Sequence, residues 1–537
     1  MKKFSILALF LSLLLLLSAC GGGTAQPAAT GGGSTTQPAT GGTGAQPTTS
    51  GGDASPSGGK TITVGTTDAF SMDMLSQGTS ESMQLVFEGL FQPNPDTGEI
   101  EPMLAESYNI VDPCTTTIKL NDNAKFSDGS KVTAADVLYS YERFVDPANN
   151  SPQAPKYGIF DFDKCTIQDD DNLTLVTKDP QPSIIAYIAH NPDIVSKAWY
   201  EKATPDQLYD QACGSGPYTI TGNVSGASTT LQLRSDYWNK DKTPEAQTII
   251  IKYYSDISTM LIDFEKGALD IILNLDSSSY TRLQGGEFKD AVVNTVPELE
   301  NWYMVLPNYV EAFQDVRVRQ AFTEAIDWAA VVKIAMGSLA TVPTSNLSES
   351  AVPYYKNEGA YPYDPDHAKQ LLSDAGFSGG FTLNVVCPNP AVYTTTFEAM
   401  QEYLAAVGIT LNFKSLDFPS AMPLIQQGQS DLFLMTSTGT SVIVPDLLMQ
   451  HANASSPLTP CKITDPTYND MWNQAVIETD QTKAIQEWNA IQDWLHANYW
   501  HIPIMNIQNA YAYNSTVVKD WTFVNGRAPE LRWVHLV

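Results

Sequence analysis

The stretch DVRVRQAF at residues 315–322, followed by AID at 325–327, is the part of the sequence that is most informative about the fold. Asp315 precedes a run with helical spacing, where its carboxylate can accept hydrogen bonds from the free amides of the first turn. The apolar residues continue at this spacing and predict one helix from Val316 to Met336. We interpret Asp327, on the same helix, as the partner of a basic residue, so both acids are predicted to be structural.

Further motifs flank this stretch in a definite order. They are LVFEGL at 85–90, PMLAESY at 102–108, KFSDG at 125–129, AADVLYS at 134–140, GSGPY at 214–218, AKQLL at 368–372 and AGF at 375–377. Asp128-Gly129 is typical of a turn between a strand and a helix, because Gly tolerates positive φ and the Asp side chain can accept hydrogen bonds from the amides that follow it. Gly216-Pro217 ends one element and begins another.

The coarse secondary structure is a mixture of helices and strands. Helices are also predicted at Glu81–Leu90, Ala134–Phe144, Asp366–Ala375, Thr396–Val407 and Asp480–Ala497. Strands are predicted at Thr61–Val64, Thr115–Leu120, Asn172–Thr177, Thr248–Tyr254, Thr382–Val386 and Thr410–Ser415. This mixture favours α+β lobes over one regular parallel sheet.

Taken together, these motifs resemble the family 5 solute-binding proteins of ABC importers, a family of oligopeptide, dipeptide and nickel binders. The resemblance implies a two-lobed periplasmic-binding-protein-like fold (type II, cluster C) of mixed α and β structure, with two chain crossings. Lobe I would comprise 60–296 and 503–537, with a subdomain at about 99–212, and lobe II would comprise 297–502. The lobes would close on a solute and present it to a permease with a separate ATPase.

The amino terminus has the pattern of an export signal. Lys2 and Lys3 precede an apolar run from Phe4 to Leu17, which LSAC at 17–20 closes. The run is too short for a comfortable membrane span, and small residues follow it, as in a cleaved signal. The stretch also resembles the lipobox of bacterial lipoproteins, in which Cys20 would receive a diacylglycerol. We therefore expect residues 1–20 to be a lipoprotein signal and the mature chain to be anchored on the extracytoplasmic face of the cell membrane.

Residues 21–59 contain Gly, Thr, Ser, Ala, Pro, Gln and one Asp, with no large apolar side chain. Such a segment cannot offset the entropy of ordering and is typical of a linker, with a span of roughly 30–40 Å. The whole chain contains 59 acidic and 30 basic residues, for a formal net charge of −29. This charge argues against nucleic acid and against adsorption to anionic lipid. We expect a monomer without a cofactor.

Five cysteines remain beyond Cys20, and no Cys-x-x-Cys pair occurs. A zinc site is therefore not expected. Export permits disulfides, and Cys114 with Cys165 is the best candidate pair because both lie beside strand-like runs of the same subdomain. Connectivity cannot be derived from spacing.

The expected ligand wall departs from the family pattern. In peptide binders, a Gly-Trp-x-x-Asp-Tyr segment of the second lobe supplies an aspartate for the peptide ammonium. The equivalent stretch here is GTSVIVPD at 439–446, where Thr440 replaces the Trp and Ile443 replaces the Asp. An unpaired ammonium in a closed site costs several kcal/mol, so we expect a ligand without a free amino group. The alternative is that Asp446 replaces the missing acid.

Other cleft residues are predicted from their positions in the motif order. The candidates for ligand contact are Gln77, Gly78, Thr79, Tyr157, Trp302, Tyr303, Tyr393, Thr440 and Ser441.

Two residue patterns bear on functions other than solute binding. GFSGG at 376–380 fits the G-x-S-x-G pattern of serine hydrolases, but a helix precedes it and a strand follows, the reverse of the required order. His496 and His501 are five residues apart, off the helical repeat of a metal pair. A saccharide or a nickel complex remains an alternative ligand, and an exported hydrolase or adhesin an alternative class.

Overall fold

The computed structural model describes residues 60–537 apart from 69–74, 76–80, 95–96, 98, 150, 152, 190–192, 205–206, 209–210, 287, 437–444, 446–448, 450–451, 453–460 and 522–529. Its largest sheet has nine strands, with the main path β16-β12-β17-β11-β1-β10-β9-β8 and β13 paired to β17. Smaller sheets pair β4-β5-β7-β6, β14-β15, β18-β19 and β2-β3. The mixed α and β fold is thus confirmed.

The strands are β1 Thr61–Thr66, β2 Phe91–Pro93, β3 Ile100–Pro102, β4 Ala105–Asp112, β5 Thr115–Leu120, β6 Thr166–Ile167, β7 Asn172–Val176, β8 Tyr218–Val224, β9 Ser228–Leu233, β10 Thr248–Tyr253, β11 Ile271–Ile272, β12 Ala291–Val305, β13 Ala340–Thr341, β14 Phe381–Pro388, β15 Ile409–Leu416, β16 Phe433–Thr436, β17 His501–Asn514, β18 Val518–Trp521 and β19 Val534–Leu536.

The α-helices are α1 Glu81–Val86, α2 Ala134–Val145, α3 Ala154–Tyr157, α4 Ile184–Ile188, α5 Lys197–Tyr200, α6 Ile257–Glu265, α7 Ser277–Gln284, α8 Val316–Glu324, α9 Trp328–Met336, α10 Pro365–Asp374, α11 Ala391–Ala406, α12 Phe418–Gln426, α13 Pro466–Ala475 and α14 Gln481–Asn498.

The central motif forms two helices rather than the single predicted one. Asp315 caps α8 by accepting from the Arg317 amide at 2.9 Å, as expected. Among the described residues Asp327 has no basic partner; its carboxylate accepts from the Ala330 amide at 3.1 Å and caps α9. Because an N-cap has non-helical backbone angles, this aspartate ends the continuity of the helix. Arg319 is buried and donates to the Asn498 and Phe313 carbonyls, each at 2.7 Å.

The predicted helix at 81–90 also ends early, at Val86. The GSGPY turn packs directly against this end: the Gly216 amide donates to the Val86 carbonyl at 2.9 Å. A Cβ on Gly214 would lie 2.0 Å from the same oxygen. The glycines therefore permit a close backbone approach that joins α1 to the start of β8.

Two long strands, β12 and β17, pair antiparallel from Ala291 opposite Asn514 to Val305 opposite His501. One end of the pair contributes Val296 and Tyr511 to a large core that also contains Ile62 and Phe126. The other end contributes Met304 and Met505 to a second core, which contains Phe322 and Phe397. In β17, Met505 belongs to the second core and Tyr511 to the first, and the crossing at Pro503 stays a prediction.

The end of the chain returns to the beginning of the folded body. β19 pairs with β18, and the Leu536 amide donates to the Glu245 carboxylate at 3.0 Å. The Lys60 ammonium donates to the Leu536 carbonyl at 3.4 Å. Within the described residues, no helix combines the length and apolar character that a membrane crossing requires.

The predicted disulfide between Cys114 and Cys165 is absent from the structure. Neither thiol is in a disulfide, and Cys213, Cys387 and Cys461 form none among the described residues. The Cys165 thiol instead engages the backbone of Val176, accepting from its amide at 3.3 Å and facing its carbonyl at 3.7 Å. Burial raises the pKa of this thiol, which lowers its reactivity.

Candidate ligand-binding site

Three strands of lobe II end at neighbouring places. β14 and β15 pair in parallel, from Phe381 opposite Ile409 to Pro388 opposite Leu416. The segment entering β16 joins the same unit, because the Val386 amide donates to the Ser430 hydroxyl at 2.9 Å. Helices α11 and α12 follow β14 and β15. In open α/β sheets, ligands bind outside the carboxyl ends of such strands.

Three aromatic side chains lie at these strand ends. Tyr393 is in the first turn of α11, Phe418 is the first residue of α12, and Trp302 on β12 faces Thr436, the last residue of β16. The rings of Trp302 and Tyr393 are 5.2 Å apart between centroids, and those of Tyr393 and Phe418 are 6.3 Å apart. We call Trp302, Tyr393 and Phe418 the aromatic wall. Phe418 is 44% exposed, whereas Tyr393 is 9% exposed and Trp302 is partly buried, so Phe418 is the ring of the wall that faces solvent.

The amino terminus of α11 adds a polar feature beside this surface. Pro390 occupies its N-cap and supplies no side-chain acceptor, whereas Asp417 caps α12 by accepting from the Ser420 amide. Residues 389–391 are exposed. The 16-residue helix therefore directs amide N–H groups without a side-chain cap, together with the positive end of its dipole, towards solvent. Such an end favours an oxygen acceptor on a ligand.

The structure brings two of the predicted contact residues together, Trp302 and Tyr393. Tyr393 lies inside α11, which begins at Ala391 and not at the predicted Thr396. Phe418 was missed: the sequence contains an Asp-Phe-Pro helix start at 417–419 that marks its position, but nothing local indicates its two ring neighbours.

Tyr303 and Tyr157 are placed differently. Tyr303 is buried, and its hydroxyl donates to the Asn346 carbonyl at 2.5 Å. Tyr157 is buried in the lobe I core, stacked on Phe144, and its hydroxyl donates to Asp193 at 2.6 Å. Both rings are engaged in packing rather than exposed to a cleft, which corrects the expectation that they line one. Burial raises the pKa of Asp193 to about 7.

The remaining candidates, Cys20, Gln77, Gly78, Thr79, Thr440 and Ser441, lie outside the described residues, as does Asp446. Their contact roles therefore stay predictions. The 439–446 stretch begins three residues after β16 ends at Thr436, and Thr436 pairs with Trp302. The chain thus leaves the sheet beside the aromatic wall.

A cavity of about 540 Å³ lies where residues of the two predicted lobes meet beside β17. Its walls come from residues 274–277, 335–337, 339 and 507–510. Asp276 is the one acid on this wall, and its carboxylate already accepts from the Ser279 amide at 2.7 Å and the Ser278 hydroxyl at 2.9 Å. These bonds outweigh burial and hold its pKa below the ordinary value. The described part of the cavity therefore contains no uncommitted carboxylate for an ammonium.

The hydrolase motif has no catalytic setting in the described structure. Ser378 lies in the exposed turn between α10 and β14, so the helix-before-strand order expected from sequence is observed. Among the described residues, no group of three or more His, Cys, Asp or Glu side chains is arranged to hold a metal ion.

A long strand pair that contributes to a separate core at each end, with a cavity beside β17, is the arrangement expected of the solute-binding class. Residues 99–458 match the family model "Bacterial extracellular solute-binding proteins, family 5 Middle". The chain belongs to this family, as the motif order indicated. It is therefore an extracytoplasmic solute-binding protein of the kind that serves ABC importers.

Relatives support the same assignment. The glutathione-binding protein GsiB of Escherichia coli K12 is 24% identical over 459 residues, covering 83% of this chain and 87% of GsiB. The periplasmic murein tripeptide-binding protein MppA, in its unliganded open form, aligns with a TM-score of 0.77 at 20% identity, covering 89% of this chain and 98% of MppA. The binding protein AgaA of A. tumefacien R10, in complex with agropinic acid, aligns with a TM-score of 0.64 at 24% identity, covering 85% and 94%.

Proposed function

We propose that this protein is held at the membrane by lipid on Cys20, captures a small organic solute between its two lobes and delivers it to an ABC permease. The aromatic wall carries the proposal, because its exposed Phe418 ring, with Trp302 and Tyr393 behind it at the carboxyl ends of three strands, serves binding better than stability. The composition of residues 21–59 is typical of a linker, which would leave the folded body free to reorient above the membrane.

The ligand class follows from what surrounds the wall. An apolar ring surface next to amide donors suits a peptide-like solute with an apolar group and an oxygen acceptor. The two positions that anchor an ammonium in peptide binders are Thr440 and Ile443 here, and Asp276 is committed to its own helix. We therefore propose a ligand without a free amino group, such as a capped peptide or a peptide conjugate.

A non-peptide solute is the second candidate. AgaA shares the fold and was solved with agropinic acid, so this architecture accommodates ligands other than peptides. A neutral glycoside would stack equally well on the wall.

Binding is tested by thermal shift and calorimetry with a panel of free-amino di- and tripeptides, their N-acetylated forms, glutathione and neutral glycosides. We expect binding within the acetylated or glycoside sets and weak binding of free-amino peptides. Sub-micromolar binding of a free-amino peptide that is lost on acetylation would refute the proposed specificity and favour Asp446 as the anchor.

The wall is tested with Phe418→Ala in the same assay. Because the Phe418 ring is 44% exposed, its removal is expected to lower affinity about tenfold or more with little change in stability. Tyr363→Ala is the matched control, since this ring is also in lobe II and 50% exposed but lies outside the wall. Equal affinities for Phe418→Ala and the wild type would show that the aromatic wall is not part of the ligand-binding site.

The anchor is tested with Cys20→Ala. We expect the variant to leave the membrane fraction while its ligand affinity is unchanged. Retention in the membrane pellet would contradict anchoring by Cys20 without affecting the binding proposal.

A further inference from the structure

The two crossing strands have a break in their pairing at the level where the chain passes between cores. β12 pairs with β17 as Pro297 opposite Gln508 and resumes as Asn301 opposite Asn506. Three residues of β12, 298–300, therefore oppose one residue of β17. A bulge of this kind bends a strand and leaves backbone groups without ladder partners.

A segment of lobe II supplies the missing partners. The Ser348 hydroxyl donates to the Glu298 carbonyl at 2.6 Å, and the Ser350 hydroxyl donates to the Pro297 carbonyl at 3.1 Å. From β17, the Asn506 amide group donates to the same Glu298 carbonyl at 2.9 Å and to Ser348 Oγ at 3.2 Å. We call residues 345–350, SNLSES, the serine strap.

The strap is fixed along its length. Ser345, Asn346, Ser348 and Ser350 are each at most 2% exposed, although all four are polar. Two β12 side chains bond its backbone: Asn301 donates to the Ser345 carbonyl at 3.3 Å, and Tyr303 donates to the Asn346 carbonyl at 2.5 Å. Burying polar side chains is costly unless they make hydrogen bonds. The Ser345, Ser348 and Ser350 hydroxyls each donate one, Ser345 to Gln492 at 2.8 Å, whereas the Asn346 side chain has no partner among the described residues. The three serines and the two bonds to the strap backbone therefore hold the strap in place.

The chain leading into the strap reaches the opposite lobe. Leu339 is buried in a lobe I core with Met260 and Leu269. β13, which follows at once, pairs with β17 as Ala340 opposite Ile507. One continuous segment, residues 339–350, thus touches the lobe I core, β17 and the bulge of β12 in succession.

We propose that the bulge at 298–300 is the bending point of the lobes and that the serine strap sets its stiffness. The inference rests on the proposed closure of the two lobes. A carbonyl bonded to a serine hydroxyl can change its hydrogen-bond partner at a smaller cost in free energy than a carbonyl in the backbone ladder. The crossing strands therefore bend at the bulge, while the ladder pairing on either side of it persists. The strap thereby limits how far the ligand-free lobes open.

The test is hydrogen–deuterium exchange of the ligand-free protein carrying Ser348→Ala and Ser350→Ala together. We expect amide exchange in peptides spanning 295–303 and 503–510 to accelerate about tenfold, with exchange in α2 and α14 unchanged. Small-angle scattering is expected to show a larger mean radius of gyration. Ser430→Ala is the matched control, because this serine is also buried and donates to a backbone carbonyl, that of Leu432 at 2.6 Å, but lies outside both the strap and the 298–300 bulge.

Unchanged exchange at 295–303 and 503–510 in the double variant would overturn the inference. If the double variant does not fold, Ser350→Ala alone removes one 3.1 Å bond, and the same comparison applies. No ligand enters either measurement. The two proposals can therefore fail separately. Unchanged exchange in the double variant would contradict the role of the strap, whereas an absence of ligand binding, with exchange accelerated as expected, would contradict the proposed function.

Discussion

Glu88 in lobe I and Glu358 in lobe II are both buried carboxylates, but their surroundings differ. Glu88 accepts from the Tyr237 hydroxyl at 2.6 Å and the Trp238 indole at 2.9 Å. Burial raises the pKa of Glu88 above its ordinary value, and Arg532 and these hydrogen bonds offset only part of that rise. Residues far apart in sequence thus meet at one acid, which belongs to the LVFEGL motif.

Glu358 has no comparable support. Its side chain is 4% exposed, and among the described residues neither carboxylate oxygen has a hydrogen bond of normal geometry, although the Asn346 amide and the Ser345 hydroxyl lie close enough to lower its pKa slightly. The Ser345 hydroxyl is close, but it donates to Gln492 at 2.8 Å, and His496 is 3.8 Å away. Burial, reinforced by Asp493 and opposed by Lys356, raises the pKa of Glu358 to about 8. The same residue type is thus a structural junction at Glu88, where three hydrogen-bonding or charged partners meet it, and destabilises the fold at Glu358, where burial is poorly compensated.

The largest expected effect is that of Glu88→Ala. The change leaves Tyr237 and Trp238 without an acceptor and removes the charge that faces Arg532, so we expect a loss of about 3–5 kcal/mol in the free energy of unfolding. Denaturant titration measures it. Glu106→Ala, at an exposed ion pair with Lys119, is the control and should cost less than about 1 kcal/mol. A loss at Glu88 no greater than this control would contradict its role as a junction.

Glu358→Gln is expected to act in the opposite direction. In the wild type, the unfolded state releases the Glu358 proton above an ordinary pKa of 4.5, while the folded state retains it up to about 8. Stability is therefore fully present below 4.5 and falls as pH rises to about 8. The glutamine variant lacks this loss, so it should gain a few kcal/mol over the wild type at pH 8, at about 1.4 kcal/mol per pKa unit.

Thermal unfolding between pH 4 and 9 measures this difference. The two proteins should converge near pH 4 and diverge as pH rises. Parallel curves would show that Glu358 ionises normally in the fold, and the contrast with Glu88 would then be lost.

Tyr237→Phe sharpens the comparison by removing one donor while Glu88 remains. The carboxylate keeps its bond from Trp238, so we expect a loss of about 1–3 kcal/mol. The pKa of Glu88 should rise further, since a bond to its charged form is gone. NMR titration of the carboxyl group, alongside chemical unfolding, follows both quantities; an unaltered pKa would mean that the Tyr237 bond is not formed in solution.

Asp493→Asn should have the smallest effect. Asp493 raises the pKa of Glu358, but it is exposed and paired with Lys356. Its neutralisation should lower the Glu358 pKa slightly and change stability by less than about 1 kcal/mol. A change as large as that of Glu358→Gln would show that charge repulsion, and not burial, dominates at Glu358.

Features fixed by local chemistry were predictable from sequence. Asp315 was identified as a cap because a single carboxylate before a helical pattern suffices, and β5 was predicted with its observed bounds because its alternation is clear. The role of Asp327 as a helix cap was not predictable, because the apolar spacing continues across it. The pattern therefore indicates one helix where the structure has two.

The binding surface was only partly predictable, because it is made by distant segments. Trp302, Tyr393 and Phe418 meet through the parallel pairing of β14 with β15 and the register of β12 with β16. No residue pattern near Phe418 encodes that meeting. The free thiols at Cys114 and Cys165 were likewise beyond sequence, since a thiol bonded to Val176 is indistinguishable from one in a disulfide until the backbone is placed.

The closeness of Lys60 to Leu536 has a practical consequence for engineering. Since one lysine side chain spans the gap between the first strand and the last, a short Gly-Ser peptide could join these positions without crossing the molecule. New ends could then be opened in an exposed turn such as 225–227 of lobe I, between β8 and β9. A fluorescent domain could be fused to the new ends of such a circularly permuted form. Tolerance of permutation is typical where the joined positions lie together at a surface.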